Sequence, residues 1–439
     1  MKAPKYPSYK PGHSKNIRLL PEHWGELPLK RLFTLEKREP LGSDEIVTAF
    51  RDGTVTLRKN RREDGFTNAL KEIGYQRIHK EDLVIHAMDA FAGAIGVSDS
   101  DGKSSPVYSA CTATKGASPY FYAYYLRDLA LHGFIESLAK GIRERSSDFK
   151  WSDASTVAVP VPPRREQLII SNFLDRETAK IDALIAEQKR LIELLQEKRQ
   201  AIISHAVTKG LNPNSPMKDS GVEWLGEVPE HWRAGKIKHY FRTTSGSTPN
   251  SEAQSLYYTD EEDESGTPWI RTTDIDNGEV TNAEIFITEK AIADTACKPL
   301  PKDTVLVALY GGGGTVGKNG ILKIVASVNQ ALCAILPAQE CIPEYLHKYI
   351  QFLRPFWMER AVSARKAGNI SQELVGDTPF PLPPIHEQED ILNFLNERLS
   401  RIFRLGSAAD SCLHLLNERR SALISAAVTG QIDVRDLVP

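Results

Sequence analysis

Apolar residues fall into two alternating regimes along the chain. Short β-branched runs, among them EIVTAF (Glu45 to Phe50), DTVLVALY (Asp303 to Tyr310) and GILKIVASV (Gly320 to Val328), are punctuated by glycine and aspartate. They predict strands joined by turns. Each such region closes on a proline cluster, PVPP at Pro160 to Pro163 and PFPLPP at Pro379 to Pro384. Beyond each cluster the period changes. From Arg165 to Lys209, Leu174, Ile181, Leu195 and Ile202 recur at sevens, with Leu184, Ile185, Leu191 and Ile192 filling the same stripe. Leu395, Ile402, Leu416 and Leu423 repeat the pattern in a second run. The spacing predicts two amphipathic helices, each about 65 Å long at roughly 1.5 Å per residue. Gly406 marks a place where the second helix is expected to bend or break, because glycine costs about 1 kcal/mol in a helix interior.

These regimes occur twice because the chain is a tandem duplication. PEHW at Pro21 to Trp24 returns 208 residues later at Pro229 to Trp232. VPPRREQLIISNFLDRETAKI from Val161 lies over LPPIHEQEDILNFLNERLSRI from Leu382, and AIISHAVT from Ala201 over ALISAAVT from Ala422, both at a separation of 221. The second copy therefore carries 13 extra residues upstream of these matches. The expected fold is α+β: a mixed domain followed by a long helix, twice over. Each helix needs a partner for its apolar stripe, and its repeat is the obvious one. Antiparallel pairing would form a coiled coil with pseudo-twofold symmetry and leave the two globular units at opposite ends. Packing of each helix on its own domain is the alternative.

Charge and composition narrow the function. Lys plus Arg number 55 against 57 Asp plus Glu, a net charge of -2. That excludes a polycation but not local basic surfaces. Five scattered cysteines without a C-x-x-C pair are expected to be reduced thiols of an intracellular protein. No signal-like amino terminus stands out, and no segment nears the roughly 18 apolar residues of a membrane span. The expectation is a cytoplasmic protein with no membrane partner.

Candidate chemistry is sparse. In VALYGGGGTVGKNG, residues 307 to 320, Gly312, Gly317 and Lys318 imitate a phosphate-binding loop, but Asn319 stands where magnesium needs Ser or Thr. In the duplicated alignment Gly93 falls over Gly314 and Gly96 over Gly317, while Lys318 falls over Val97. A glycine turn between strands is expected instead. His23 and His231 lack cysteine or carboxylate neighbours at ligand spacing, so a structural corner is expected rather than a metal site. The acidic run Asp260 to Glu264 reads as a solvated loop in the lengthened part of the second copy. We find no motif for amino-methyl transfer and no G-x-S-x-G, so no catalytic residues are assigned. Basic clusters are more suggestive: RDGTVTLRKNRR (Arg51 to Arg62), AKGIRERSSDFKW (Ala139 to Trp151) and RPFWMERAVSARKAGNIS (Arg354 to Ser371). Arginine and lysine hold phosphates, and arginine, asparagine and serine can address base edges.

Taken together, LPEHW and VPEHW, GVEWLGEVPEHW, the paired P-x-PP-x-x-EQ with I-x-x-FL, and LISAAVTGQIDV near the carboxyl end resemble the specificity subunit of type I restriction-modification systems. The resemblance covers nearly the whole chain. It implies two target recognition domains, at 20–163 and 221–384, each reading half of an asymmetric bipartite DNA sequence. Spacer helices would occupy 164–210 and 385–430, with an extension at 1–19, a linker at 211–220 and a tail at 431–439. Their coiled-coil contacts would be made by Leu174, Ile181, Leu184, Leu195, Ile202, Leu395, Ile402, Leu416 and Leu423. The implied partners are double-stranded DNA, two methyltransferase subunits carrying S-adenosylmethionine for adenine methylation, and restriction/translocase subunits using ATP and Mg. No cofactor is expected on this chain. In this family DNA contacts vary with the target, so the candidates are the basic-cluster residues themselves. They are Arg51, Arg58, Lys59, Arg61, Arg62, Arg143, Arg145 and Lys150 in the first copy, and Arg365, Lys366, Asn369 and Ser371 in the second. Lys115, Arg271 and Lys318 are weaker choices. Two other readings stay open: a coiled-coil protein adaptor without sequence readout, and a standalone nuclease or ATPase.

Overall fold

The computed structural model describes residues 4–61, 72–138, 149–250, 252, 254–259, 266–312, 314–363 and 369–437. The chain divides into two compact units, Met1–Lys189 with Asp410–Pro439, and Arg190–Ala409. Both divisions fall within long continuous helices, Arg164–Lys209 and Ile385–Val428. The second helix runs through Gly406 unbroken, contrary to expectation. Strong helix formers flank this position, among them Leu405, Ala408 and Ala409, and they offset the modest propensity cost of one glycine.

In the first unit an antiparallel sheet places its strands in the order Phe33–Leu35, Tyr108–Ala113, Leu83–His86, Ile95–Val97. Helix Pro119–Leu131 supplies Phe121, Tyr122, Tyr125 and Leu126 to the core beneath it. The same core takes Ile170, Phe173 and Leu174 from the start of the first long helix, and Ile424, Ala427 and Val428 from the end of the second. Start meets end, so the two segments run antiparallel. Arg420 Nε bonds Asp182 Oδ1 across them at 2.8 Å.

The second unit repeats the plan. Its strands lie in the order Thr243–Ser245, Leu332–Ile335, Val305–Ala308, Asn319–Leu322, Gly278–Val280. The last strand joins in parallel and comes from the lengthened upstream part of the second copy. Helix Pro343–Ser363 contributes Tyr345, Tyr349, Leu353 and Trp357 to the core. Here too the end of one long helix (Ile203, Ala206, Val207) meets the start of the other (Ile391, Leu392, Leu395). Each unit also carries a hairpin of the same form: Tyr9–Pro11 pairs with Leu19–Pro21, and Met217–Asp219 with Glu227–Pro229.

The duplicated motifs converge at one corner in each unit. His23 Nε2 lies 2.8 Å from Glu166 Oε2, and Trp24 Nε1 donates to Glu166 Oε1 at 3.1 Å. The Tyr6 hydroxyl donates to the same carboxylate at 2.5 Å. Burial, and then that bond to a charged acceptor, push the Tyr6 pKa far up. In the second unit His231 Nε2 and Trp232 Nε1 meet Glu387 Oε2 at 2.9 and 2.8 Å. The next residue clamps neighbouring chain. Gln167 Oε1 accepts from the Ser118 amide at 2.8 Å while its Nε2 donates to Pro162 O at 2.8 Å, and Gln388 does the same with Ile342 and Pro383 at 2.8 and 2.9 Å. PEHW and EQ are therefore two halves of one lock. The glycines that end the long helices close it. Gly430 (φ 72°) caps the second helix in the left-handed conformation, where a Cβ would lie 2.6 Å from Pro21 and 3.1 Å from the Trp24 ring. Gly210 (φ 71°) does the same beside Trp232. Beyond Gly430 the tail folds back on the first residues: the Asp433 amide donates to Pro4 O at 2.8 Å, and the Arg435 guanidinium lies 5.2 Å from the Tyr6 ring centre.

The helical stripe needs one correction. Leu174, Ile181, Leu195, Leu395 and Ile402 are buried, and Ile202, Leu416 and Leu423 half-buried. Leu184, however, is 50% exposed, and Leu191 is exposed as well. Alternating steps of four and three from Leu174 pass through Thr178, Ile181, Ile185, Gln188, Ile192 and Leu195, all buried or half-buried. Polar residues hold two of these seam positions, so apolar residues alone pointed one place off the seam.

Replacing Glu166 by Ala should destabilise the first unit by about 3 kcal/mol, because two buried donors would lose their acceptor. Urea unfolding followed by hydrogen exchange of that unit tests this. An unchanged midpoint would show that the corner does not hold the fold.

Candidate nucleic-acid interface

In the first unit the basic candidates surround one hairpin, Val47–Ala49 with Val55–Leu57, seated on Ile78, Val84 and Ala110. Arg51 is in its turn, and Arg58 and Lys59 form the 3-10 turn that follows. None presents bare charge. Arg51 Nη2 pairs with Asp89 at 2.8 Å, Lys59 with Glu45 at 2.5 Å, and Arg61 with Asp52 through two nitrogens at 2.9 and 2.6 Å. Arg61 also lies over the Phe50 ring at 4.3 Å. Burial pushes the Asp52 carboxyl up, but the Arg61 guanidinium and the Thr54 amide outweigh it and hold the group at about 2. Arg58 Nε reaches Thr48 Oγ1 at 3.4 Å. The backbone bond from Phe149 to Ala87 brings Lys150 beside the segment that carries Asp89, so Lys150 joins this cluster. Lys115 is exposed in the turn after Tyr108–Ala113. Exposed ion pairs are worth roughly 0–1 kcal/mol, so exchanging a carboxylate for a phosphate here is inexpensive.

In the second unit the phosphate-loop imitation is a turn between antiparallel strands, with Val307 opposite Asn319. Gly314 and Gly317 adopt positive φ, as does Gly93 in the equivalent connection of the first unit. Lys318 leads into a strand, whereas a phosphate cradle needs a helix N-terminus at that point. Lys318 Nζ lies 3.4 Å from Asp276. Arg354 Nη2 donates to Gly314 O at 2.9 Å, and the Ile370 amide donates to Leu309 O at 2.9 Å, which draws the Asn369 segment alongside the glycine turn. Asn277 Oδ1 accepts from Asn319 Nδ2 at 3.2 Å and ties in the loop that begins at Arg271. Lys318, Asn369 and that loop thus share one edge. Two candidates have other tasks. Arg271 is held by Asp274 at 2.9 Å and Glu284 at 2.8 Å and pins its own loop. Ser371 caps helix Gln372–Asp377, accepting from the Leu374 amide at 3.1 Å. Arg62, Arg143, Arg145, Arg365, Lys366 and the acidic run 260–264 lie outside the described residues.

A family model described as the type I restriction modification DNA specificity domain matches residues 229–403. The EcoKI specificity subunit of Escherichia coli K12 is 22% identical over 94% of this chain and 90% of its own length. The MjaIX specificity subunit of Methanocaldococcus jannaschii is 27% identical over 39% of each chain. Among solved structures, a chain from the assembly and conformational transition of a type I R-M system superposes with a TM-score of 0.66 at 18% identity, covering 93% of this chain and 98% of that one. The HsdS subunit from Thermoanaerobacter tengcongensis gives 0.53 at 17% identity, covering 94% and 98%. Residues 229–403 thus match the type I DNA specificity domain, and nearly the whole chain is similar to type I specificity subunits.

The part of the chain matched by the family model starts at the second PEHW and runs into the second long helix. Among the described residues no helix is long and apolar enough to cross a membrane. The second unit also contains a site that sequence reasoning missed. A cleft of about 640 Å³ in the second unit is lined by Arg199, Asn277, His347, Lys348, Gln351 and Asn393, among others. Arg199 lies among the many charged residues of the first long helix, and nothing in the sequence links it to a lysine 149 residues away. His347 is 5% exposed. Burial first, then the charges of Lys348, Lys323 and Arg199, push its pKa down to about 3.

A histidine depressed in the fold binds fewer protons than in the unfolded chain between about pH 3 and its ordinary value near 6.5, so stability rises with pH across that window. The second unit should therefore lose stability as pH falls from 7 to 4, by at most about 1.4 kcal/mol per pH unit from this group. His347→Gln should flatten that part of the profile. Urea midpoints of both proteins across this range decide, and parallel profiles would refute the assignment.

Proposed function

We propose that this chain selects the DNA sequence on which a type I restriction-modification complex acts. The observation that carries this reading is one scaffold built twice with different surfaces on it. Each unit has the same carboxylate corner, hairpin and sheet, but the first displays an arginine-rich hairpin and the second a glycine turn beside a parallel strand. Two similar frames with unlike loops suit an asymmetric, bipartite target, read by domains at 20–163 and 221–384. Phosphate contacts would set the register and base contacts the sequence.

The specificity-subunit family is generally non-catalytic. Selection is the task of this chain, while two methyltransferase subunits with S-adenosylmethionine methylate adenine, and restriction/translocase subunits use ATP and Mg to cleave. The long helices, with Leu184 and Leu191 exposed, offer apolar surface for subunit contacts.

Genome-wide methylation in cells expressing the chain with its methyltransferase subunit should show a gapped, bipartite adenine motif that is absent when this chain alone is missing. Identical methylomes despite a stable complex would leave the chain a protein adaptor. Replacing Arg51, Arg58, Lys59 and Arg61 together by Gln should reduce methylation at least about tenfold through lost phosphate and base contacts. Sequencing the same cells reads that loss, and full methylation by the fourfold variant would remove the hairpin from the interface.

A further inference from the structure

The missed cleft holds two cations, Arg199 and Lys348, that form no ion pair among the described residues. Lys348, on helix Pro343–Ser363, is half-buried and among the described residues has neither an ion-pair partner nor a hydrogen-bond acceptor. Arg199, on the first long helix, is held by a long 3.4 Å contact from Nη2 to Gln351 Oε1. Burial, then the Arg199 charge, depress the lysine pKa, and Glu279 opposes them without compensating. The carboxylates of the cleft do not relieve the pair. Glu344 is bound to Lys323 at 2.5 Å, while Glu279 and Glu389 are exposed and pair with neither cation. Bringing two like charges together in a partly desolvated cleft costs free energy in the free protein. An anion that enters would recover it.

Amide side chains surround the pair. Asn277, Gln351, Asn393 and Asn396 line the cleft, and such groups donate to phosphate oxygens as readily as lysine and arginine do. Its floor is continuous with the glycine-turn edge. The Asn277 carbonyl accepts from Gln351 Nε2 at 2.8 Å while its side chain binds Asn319, the residue after Lys318. A second cleft of about 400 Å³ shares Arg199, Asn277 and Gln351 and is also lined by Asn319, a fully buried residue whose Oδ1 has no partner among the described residues. We infer that the Arg199–Lys348 cleft seats a phosphate of the DNA backbone, positioning the second recognition domain without reading sequence. This rests on the DNA-selecting function proposed above. Continuity with the Lys318 edge favours DNA over an acidic segment of a partner protein.

The test compares the complex of full-length chain and methyltransferase subunits carrying Lys348→Gln, Arg199→Gln or Lys348→Arg with the unsubstituted complex. Affinity for cognate and unrelated duplexes is measured as a function of salt. Lys348→Gln should weaken both duplexes by a similar factor of about three to ten and make the log-affinity slope shallower by about 0.9, as for one lost phosphate contact. Arg199→Gln should do likewise, and Lys348→Arg should restore the slope. The methylated motif should not change. The thermal midpoint of the free Lys348→Gln chain should equal or exceed that of the original, because a charge conflict is removed. An unchanged slope overturns the inference. So does loss of the methyltransferase subunit with DNA binding intact, which would give the cleft to a partner carboxylate. If the unsubstituted complex itself shows no salt-dependent DNA binding, the functional reading fails rather than the site.

Discussion

Everything in this structure hangs on a carboxylate that the fold takes out of water. Burying Glu166, only 5% exposed at its side chain, is costly unless its lone pairs are filled, and Tyr6, His23 and Trp24 fill them. The glutamate lies in the first turn of a 46-residue helix, so the corner fixes where that helix leaves the domain. A helix so long turns a small angular error at its base into a large displacement at its tip. A single-point anchor of fixed direction is therefore what the architecture requires, and it occurs in both copies.

Much of this was legible in the sequence because it was written twice. The PEHW and EQ matches located both halves of the corner, although only coordinates show that they bind each other. The helices were legible from their sevenfold spacing, yet Leu184 was misplaced. The seam passes through Thr178 and Gln188, and a reading that follows apolar residues steps off it there. Gly406 was over-weighted, since local propensity is a weak argument against forty neighbours in hydrogen-bonded register.

The candidate nucleic-acid surfaces were only partly legible, for an electrostatic reason. Sequence shows where lysine and arginine occur but not what they face. Arg51, Lys59 and Arg61 each face a carboxylate, Arg271 is engaged by two, and Lys348, which no basic cluster contained, forms an ion pair with none among the described residues. What a cation can offer a ligand depends on how firmly the fold has already paired it. That is a property of three-dimensional arrangement.

The ends of the described chain meet in the first unit, where the Asp433 amide donates to Pro4 O. At the equivalent place in the second unit the connection is covalent, running from Gly210 through Pro216 into the hairpin. A hydrogen bond thus does in one unit what a peptide segment does in the other, and each core is completed by the closing turn of the opposite copy's helix. The copies are interchangeable at their joints. A genetic crossover within a long helix would therefore join each globular unit to a relative's closing helical turn, so both cores stay whole only where the apolar residues of those turns match.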